Sequence, residues 1–258
     1  MSKLLGQSWF DRRVRTRAIE QWRSLGKNIS GRSLSDLLKL RSDAYRAIDV
    51  IEAFTQTATV EIGGHLSRDV EIRKSKNADW AWRPEVFFQK GCVAPQINPA
   101  SGVGVGSNIS LHHNASACTM ILKQVTTLKS TSLAPFDIAL EVFDFDGSFL
   151  SLSLDLPETA MHSLSNQNIF EMEFRLTSEQ QLPIFARINV KHGPNVDEQI
   201  KELSHQHENF TVEFDLGYMD LNEHRLEKVW IDLIFDDAQM NRIVLHDLTV
   251  CRRLRAQF

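Results

Sequence analysis

Hydrophobic and polar residues alternate with a period of two over most of residues 136–258. Successive side chains of a strand point to opposite faces, so this alternation predicts strands that each have one packed face. The clearest segments are 210–216, 229–235 and 243–250. We predict strands near residues 82–89, 103–111, 116–126, 136–144, 148–156, 168–177, 183–191, 209–217, 228–235 and 241–251. The pattern is typical of a mainly β fold, a jelly-roll-like antiparallel β-sandwich.

The N-terminal part has a different period. Apolar residues recur at spacings of three and four within 8–25 and 33–55, which predicts two amphipathic helices joined as an antiparallel hairpin. Such a hairpin cannot bury both apolar stripes alone, so we expect residues 8–54 to pack on the sandwich, on a second copy or on a partner protein. The predicted organisation is a basic helical hairpin at 1–55, a connection or peripheral strand at 56–78 around Gly63 and Gly64, and a β-sandwich domain at 79–258.

The charge distribution separates the same two parts. Residues 1–55 carry 11 Lys and Arg against 6 Asp and Glu, whereas the remainder carries 18 against 27. Opposite charges would allow the two parts to dock, but an excess this diffuse does not predict specific nucleic-acid binding. The sequence has no apolar run of about 18 residues and no signal-peptide pattern, so we expect a cytoplasmic protein without a transmembrane segment.

The most unusual local sequence is residues 189–195, Asn-Val-Lys-His-Gly-Pro-Asn. It places Lys191 and His192 at the end of a strand, before a Gly-Pro turn whose Asn195 would cap a short helix at 196–203. These three side chains at the rim of a sandwich are candidates to contact a carboxylate, a phosphate or a sugar hydroxyl. A purely structural turn, in which His192 and Asn195 satisfy backbone groups, explains the same residues.

Two tryptophans add a further candidate. Trp80 and Trp82 are two apart on an extended segment, where one could pack inward while the other stacks on a sugar ring or a partner side chain. Packing in the core or under the helices is the alternative. We keep Trp82 with Lys191, His192 and Asn195 as the candidate ligand-binding residues.

Metal binding has weaker support. Asp144 and Asp146 flank Asp146-Gly147, a strong turn pair that predicts a hairpin between 138–143 and 149–156. Loop carboxylates of this kind hold structural calcium in some jelly rolls, but any Asp-Gly hairpin has the same spacing.

Histidine pairs do not improve the prediction of a metal site. His112 and His113 are adjacent and point to opposite faces of a strand, and His205 and His207 have no obvious third ligand. We therefore predict no cofactor other than a possible structural calcium.

A catalytic role is the least supported class. The serines lack the context of a nucleophile elbow, and no cysteine lies in a local motif. Glu171 and Glu173 share one strand face and are typical of the solvated side of a sheet rather than of an acid–base pair. A hydrolase is therefore the third hypothesis.

A set of motifs in the chain resembles a known family. The motifs include Asp79-Trp-Ala-Trp-Arg-Pro84, Glu141-Val-Phe-Asp-Phe-Asp-Gly147, Phe185-Ala-Arg-Ile-Asn-Val-Lys191, Val229-Trp-Ile-Asp-Leu-Ile-Phe235 and Asp247-Leu-Thr-Val-Cys-Arg-Arg253. Over 79–90 and 136–258 the chain resembles an uncharacterised alphaproteobacterial family, a domain of unknown function. Its closing strands are similar to galactose-binding-like and carbohydrate-binding jelly rolls. The resemblance implies a fold but no activity, cofactor or site.

Two functional hypotheses rank ahead of a hydrolase. In the first, the protein is a non-catalytic binding module that recognises a glycan or another small polar ligand through the rim. In the second, it is a protein-interaction or assembly factor whose N-terminal hairpin is the contact element.

Overall fold

The computed structural model describes residues 8–68, 77–89, 94–127, 134–203 and 208–255. The chain forms two compact units, Met1–Thr57 and Ala58–Phe258. The described residues contain two helices, followed by thirteen strands in two antiparallel sheets. This confirms the predicted β-sandwich with two N-terminal helices.

The helices begin with side-chain caps. Helix α1 spans Trp9–Lys27, and the Ser8 hydroxyl accepts a hydrogen bond from the Asp11 amide at 3.1 Å while the Asp11 carboxylate accepts from the Ser8 amide at 3.3 Å. Helix α2 spans Leu34–Arg68. It continues through Gly63 and Gly64, where the sequence predicted a connection or peripheral strand, because a glycine inside a helix costs only about 1 kcal/mol.

The strands divide between two sheets. The first sheet has the order β11-β8-β13-β6-β5-β2, with β1 paired to β13, and the second has the order β10-β9-β12-β7-β4-β3. Their bounds are β1 Ala78–Trp82, β2 Gln96–Ile97, β3 Val103–Gly104, β4 Ile109–His113, β5 Cys118–Thr126, β6 Phe136–Phe145, β7 Leu150–Asp155, β8 Asn168–Ser178, β9 Ile184–His192, β10 Asn195–Leu203, β11 Asn209–Asp215, β12 Leu226–Phe235 and β13 Asn241–Leu254.

The core lies between the two sheets and is built from the apolar positions of the alternating segments. In the second sheet, Ile188, Ile231, Leu154 and Ile109 lie side by side in register, and each is at most 3% exposed. Each large side chain buried in this way stabilises the fold by about 1.5 to 3 kcal/mol. The period of two therefore sets which side of each strand faces inward.

Strand β1 is fixed to the first sheet by a buried arginine. Arg252 donates two hydrogen bonds to the Asp79 carboxylate, at 3.1 and 2.8 Å, and two more to the carbonyls of Ala160 and His162. A guanidinium held on both edges leaves little rotational freedom. The strand predicted at 82–89 is wrong. Strand β1 ends at Trp82, and Pro84 is followed by a 3₁₀ turn at Glu85–Phe87.

The predicted hairpin at Asp146-Gly147 is wrong. Strand β6 pairs with β5 and β13, whereas β7 pairs with β12 and β4, so this connection crosses from the first sheet to the second. Gly147 is needed here for space rather than for a hairpin turn, because an added Cβ would lie 2.7 Å from Asn114 Oδ1 and 2.8 Å from the Ala115 nitrogen. The Asp-Gly pair thus forms a corner between the sheets.

Candidate functional site

The rim of the sandwich is shaped by the turn between β9 and β10. Gly193, at a φ of 59°, and Pro194 form a two-residue loop, so that His192 lies directly opposite Asn195. The predicted helix at 196–203 is wrong, and Asn195 does not cap it. Pairing with β9 makes residues 195–203 an edge strand, which overrides their local helix propensity.

Beside this turn lies a cleft of about 730 Å³. Polar side chains dominate its lining, which comprises Asn166, His192, Pro194, Asn195, Asp220, Leu221, Asn222, Glu223, His224 and Arg225. The residues come from the β9–β10 turn, from the segment before β8 and from the segment between β11 and β12. The cleft is therefore formed by connections at one end of the sandwich.

His192 is the buried member of this cleft. It is 4% exposed, and its Nδ1 accepts a hydrogen bond from the Asn222 amide at 3.3 Å, so in the neutral ring Nε2 carries the proton. Within the described part of the chain, Nε2 has no hydrogen-bond partner, and it lies 3.6 Å from Asp197 Oδ2, which also has none. The buried N–H and the buried carboxylate oxygen therefore lie beside each other, just beyond hydrogen-bond distance.

The remaining polar groups divide into two kinds. Asn222 and Glu223 hold the loop, since Asn222 Oδ1 accepts from the His224 amide at 3.2 Å and Glu223 Oε1 accepts from the Asn166 amide at 2.8 Å. By contrast, the side chains of Asn195, Asp220, His224 and Arg225 make no hydrogen bond or ion pair with any residue in the described ranges. These groups are available to a ligand.

The structure brings together two of the four predicted ligand-binding residues. His192 and Asn195 line the cleft, whereas Lys191 and Trp82 do not. Lys191 points to the opposite face of the second sheet and forms an ion pair with Glu227 at 2.6 Å. Trp82 lies on β1, opposite Val250 in the first sheet, and packs partly buried against the core. Ligand contact by any of the four stays a prediction.

A second polar surface lies on the face of the second sheet that points away from the core. We call it the outer face; it consists of the outward side chains of β9, β12, β7 and β4. Register places Arg187, Asp232, Ser153 and Ser110 in one row across these strands. The neighbouring row contains Asn189, Trp230 and Asp155.

Asp232 is the centre of the outer face. Only 4% exposed, its Oδ2 accepts from Arg187 Nε at 3.2 Å, from Arg187 Nη2 at 2.9 Å and from Asn189 Nδ2 at 2.9 Å. Sequence reasoning did not find this cluster, because it depends on the register of two strands that are separated by about 45 residues along the chain. The sequence signal is limited to Arg187 and Asn189 in β9 and Asp232 in β12, which are polar residues within otherwise apolar strands.

A third polar cluster lies on the outward face of the first sheet. His246 Nε2 lies 2.8 Å from the Thr177 hydroxyl, and His246 Nδ1 lies 3.1 Å from Asp137 Oδ2. Asp137 is 6% exposed, and its Oδ1 also accepts from the Thr127 hydroxyl at 2.7 Å. The order hydroxyl, imidazole, carboxylate is that of a hydrolase triad, but neither Thr177 nor His246 lines the cleft beside the β9–β10 turn.

The candidate calcium ligands have protein partners. The Ser116 hydroxyl and the amides of Ala117 and Ser116 donate hydrogen bonds to Asp146, and these bonds hold the pKa of its carboxyl below its usual range. Asp144 accepts from the Gln239 amide at 3.2 Å. No group of three or more His, Cys, Asp or Glu suited to a metal ion occurs within the described ranges. Structural calcium stays a prediction.

The two histidine pairs differ in what can be said of them. His112 Nε2 lies 2.9 Å from the Ser110 hydroxyl, and His113 Nε2 lies 3.0 Å from the Pro99 carbonyl, so the adjacent histidines have separate partners. His205 and His207 lie outside the described residues. Among the helices that the structure describes, none is long and apolar enough to cross a membrane.

One protein family matches the chain over its full length. Residues 1–258 match the family described as "Family of unknown function (DUF6478)". The chain belongs to this family. The match confirms the resemblance to a domain of unknown function and extends it over the N-terminal helices. No curated protein matches the chain.

Solved structures with similar folds include carbohydrate-binding modules. A family 11 carbohydrate-binding module from Clostridium thermocellum, in complex with a mixed-linked tetrasaccharide, is 9% identical with a TM-score of 0.35, covering 63% of this chain and 98% of that chain. The C-terminal family 22 module of Clostridium thermocellum Xyn10B is 6% identical with a TM-score of 0.38, covering 72% and 99%.

A bacteriophage protein is also among the structural matches. The enzymatically active domain of bacteriophage CBA120 tailspike protein 4 is 10% identical with a TM-score of 0.40, covering 60% of this chain and 21% of that chain. This chain thus spans about a fifth of that protein. Likenesses of this degree say nothing about what this chain binds.

Proposed function

We propose that this protein is a non-catalytic β-sandwich module that binds a glycan or another small polar ligand in the rim cleft. The observation that carries the proposal is the convergence of unpartnered polar groups there. Asn195, Asp220, His224 and Arg225 line the cleft, and their side chains have no hydrogen-bond or ion-pair partner among the described residues.

The size and chemistry of the cleft support a small ligand. Its volume of about 730 Å³ lies within the range of about 300 to 1,000 Å³ that small-molecule sites occupy. Pro194 and Leu221 are its apolar members, so hydrogen bonds rather than apolar contacts would determine the affinity. Amide, carboxylate, imidazole and guanidinium groups in one cleft can bind both the donors and the acceptors of a sugar or a related polar molecule.

The test uses a double variant and a control from the same turn. Asn195→Ala with Arg225→Ala should weaken binding at least about tenfold, equivalent to about 1.4 kcal/mol, because two ligand contacts are lost. Lys191→Ala is the matched control, since Lys191 adjoins His192 but points away from the cleft. Affinities for neutral oligosaccharides and for glucuronate and galacturonate would be measured by calorimetry. Equal affinity of the double variant and the wild type would reject the cleft as the binding site.

A second function, assembly through the N-terminal helices, is favoured by a separate observation. No residue of α1 is buried, and apolar side chains of both helices are exposed, including Trp9 at 69%, Leu34 at 73% and Phe54 at 72%. An exposed apolar stripe of this extent is typical of an interaction surface.

The assembly hypothesis is tested in the full chain with Leu38→Asp and Ile48→Asp, which both lie on α2 and are 47% exposed. The variant should lose self-association, measured by sedimentation, while the melting temperature of the sandwich stays unchanged. A wild-type protein that sediments as a monomer at all concentrations would reject self-association through this surface.

A further inference from the structure

We propose that the outer face of the second sheet is a separate binding surface for a neutral sugar chain, with Asp232 as hydrogen-bond acceptor and Trp230 as apolar platform. The inference goes beyond the proposed function and does not depend on ligand binding in the rim cleft. It concerns a different surface from the rim cleft, because none of the residues that line the cleft belongs to the outer face.

Asp232 is held by one oxygen and presents the other. All three of its hydrogen bonds go to Oδ2, from Arg187 and Asn189. Oδ1 accepts none from the described residues, yet it is not one of their enclosed unpartnered atoms and so remains accessible. Because the carboxylate cannot rotate without breaking three bonds, Oδ1 is a preorganised acceptor for a hydroxyl.

Trp230 supplies an apolar surface beside this acceptor. It precedes Asp232 by two residues on β12, so both side chains project from the same face of the sheet. The indole is half-buried, and Lys228 Nζ lies 5.5 Å from its ring centroid. A carboxylate acceptor next to an aromatic ring matches the two sides of a sugar, whose hydroxyls donate and whose C–H groups pack on the ring.

The pairing of charges on the outer face selects a neutral ligand. Arg187 is neutralised by Asp232 and lies 3.4 Å from Glu198, Lys228 lies 2.8 Å from Asp155, and Lys191 pairs with Glu227. With each of these cations already paired, a phosphate or carboxylate ligand would have to break an ion pair. A neutral hydroxyl donor to Asp232 Oδ1 breaks none.

The experiment compares single variants in the full-length protein. Maltohexaose, cellohexaose and xylohexaose are the probes, and affinity is measured by calorimetry together with the shift in tryptophan fluorescence. Trp230→Ala should weaken binding at least about tenfold and abolish the fluorescence shift, and Asp232→Asn should weaken it to a similar degree. Phe143→Ala, which removes a 46% exposed aromatic ring from β6 of the first sheet, is the control and should change neither.

Each outcome separates the two sites. If Trp230→Ala binds as the wild type does, while Asn195→Ala with Arg225→Ala does not, the outer-face proposal is wrong and the rim proposal stands. If both variants keep the wild-type affinity and bind the wild-type number of ligands per chain by calorimetry, both sites are rejected. If the wild type binds none of the three neutral probes but binds glucuronate or galacturonate, the outer face is rejected and the rim cleft is retained. Asp232→Asn also weakens the ion pair with Arg187. If that variant does not fold, the affinity of Trp230→Ala alone tests the outer face.

Discussion

Asp232 and Glu171, on the outward faces of the second and the first sheet, have different surroundings. On the second sheet, buried Asp232 receives three hydrogen bonds from Arg187 and Asn189. On the first sheet, Glu171 lies directly opposite Glu213, and the pKa of Glu171 is raised by burial and by the charges of Glu213 and its neighbour Glu173. Arg253 approaches both acids, at 3.8 Å from Glu171 and 2.8 Å from Glu213.

The difference indicates which face is organised in advance for a ligand. The carboxylate of the second sheet has lost its freedom to rotate and its net charge is compensated, so a ligand pays little to use it. The facing acids of the first sheet repel each other and depend on one arginine and on solvent. At these two places, sheets with the same alternation therefore present a preorganised carboxylate on one side and a pair of repelling carboxylates on the other.

The largest expected effect on stability comes from removing Arg187, which pairs with the buried charge of Asp232. Arg187→Ala should lower the free energy of unfolding by about 3 kcal/mol, because it leaves a buried carboxylate with Asn189 as its remaining donor. Urea unfolding measures the change. The matched control is Arg175→Ala on the first sheet, whose side chain is also 29% exposed but pairs with Glu208, which is 57% exposed. Its cost should be below about 1 kcal/mol. Equal costs would remove the contrast between the faces.

A smaller effect of opposite sign is expected on the first sheet. Glu171→Gln should raise the free energy of unfolding at pH 7 by about 0.5 kcal/mol, because like charges directly opposite each other on neighbouring strands are destabilising. Glu198→Gln on the edge strand of the second sheet is the control and should give no gain, since Glu198 lies near Arg187.

The gain at Glu171 should depend on pH with a defined sign. The folded-state pKa of this acid is raised, so its protonated form is favoured by folding, and the resulting stability is present below the unfolded pKa and lost as pH rises through the folded pKa. The advantage of Glu171→Gln should therefore vanish below about pH 4 and reach its full size at neutral pH. An advantage that grows on acidification would contradict this account.

The smallest effect concerns the corner that joins the two faces. The pKa of Asp146 is lowered by its hydrogen bonds to Ser116 and Ala117, so its stabilisation is present above the unfolded pKa and lost as pH falls through the folded pKa. Thermal melts should show Asp146→Asn less stable than the wild type at neutral pH, with the two converging below about pH 4. Asp144→Asn serves as the control. Parallel melting curves for wild type and Asp146→Asn across this range would show that the corner is held by other contacts.

The strands could be predicted from sequence wherever one face is buried, because burial enforces a period of two. Residues 228–235 and 241–251 are examples, and both were placed within a few residues. The edge strand β10 was missed because its outward positions, Val196, Glu198, Ile200 and Glu202, are all exposed and its inward positions include Asp197 and Gln199. Without a buried face the alternation carried no apolar signal, and local helix propensity prevailed in the prediction.

The candidate sites were only partly visible in sequence for a related reason. His192 and Asn195 are close along the chain and meet across one turn, so their proximity follows from the Gly-Pro signal. Arg187 and Asp232 meet only through the register of β9 and β12, which no local pattern specifies. An Asp-Gly pair suits a hairpin and an inter-sheet connection equally well, so the sequence alone does not distinguish the corner at Asp146 from a hairpin.

The position of β13 determines when this molecule can fold during synthesis. This strand lies in the interior of the first sheet, where it pairs with β8, β6 and β1, although it is the last of the described strands in sequence order. Until it leaves the ribosome, β6 and β8 each lack a neighbour and the inner face contributed by Leu245, Leu248 and Val250 is missing from the core. Long-range pairing of this kind folds slowly and exposes unpaired edges meanwhile. A nascent chain of this protein therefore presents two open β-edges to chaperones until β13 has left the ribosome.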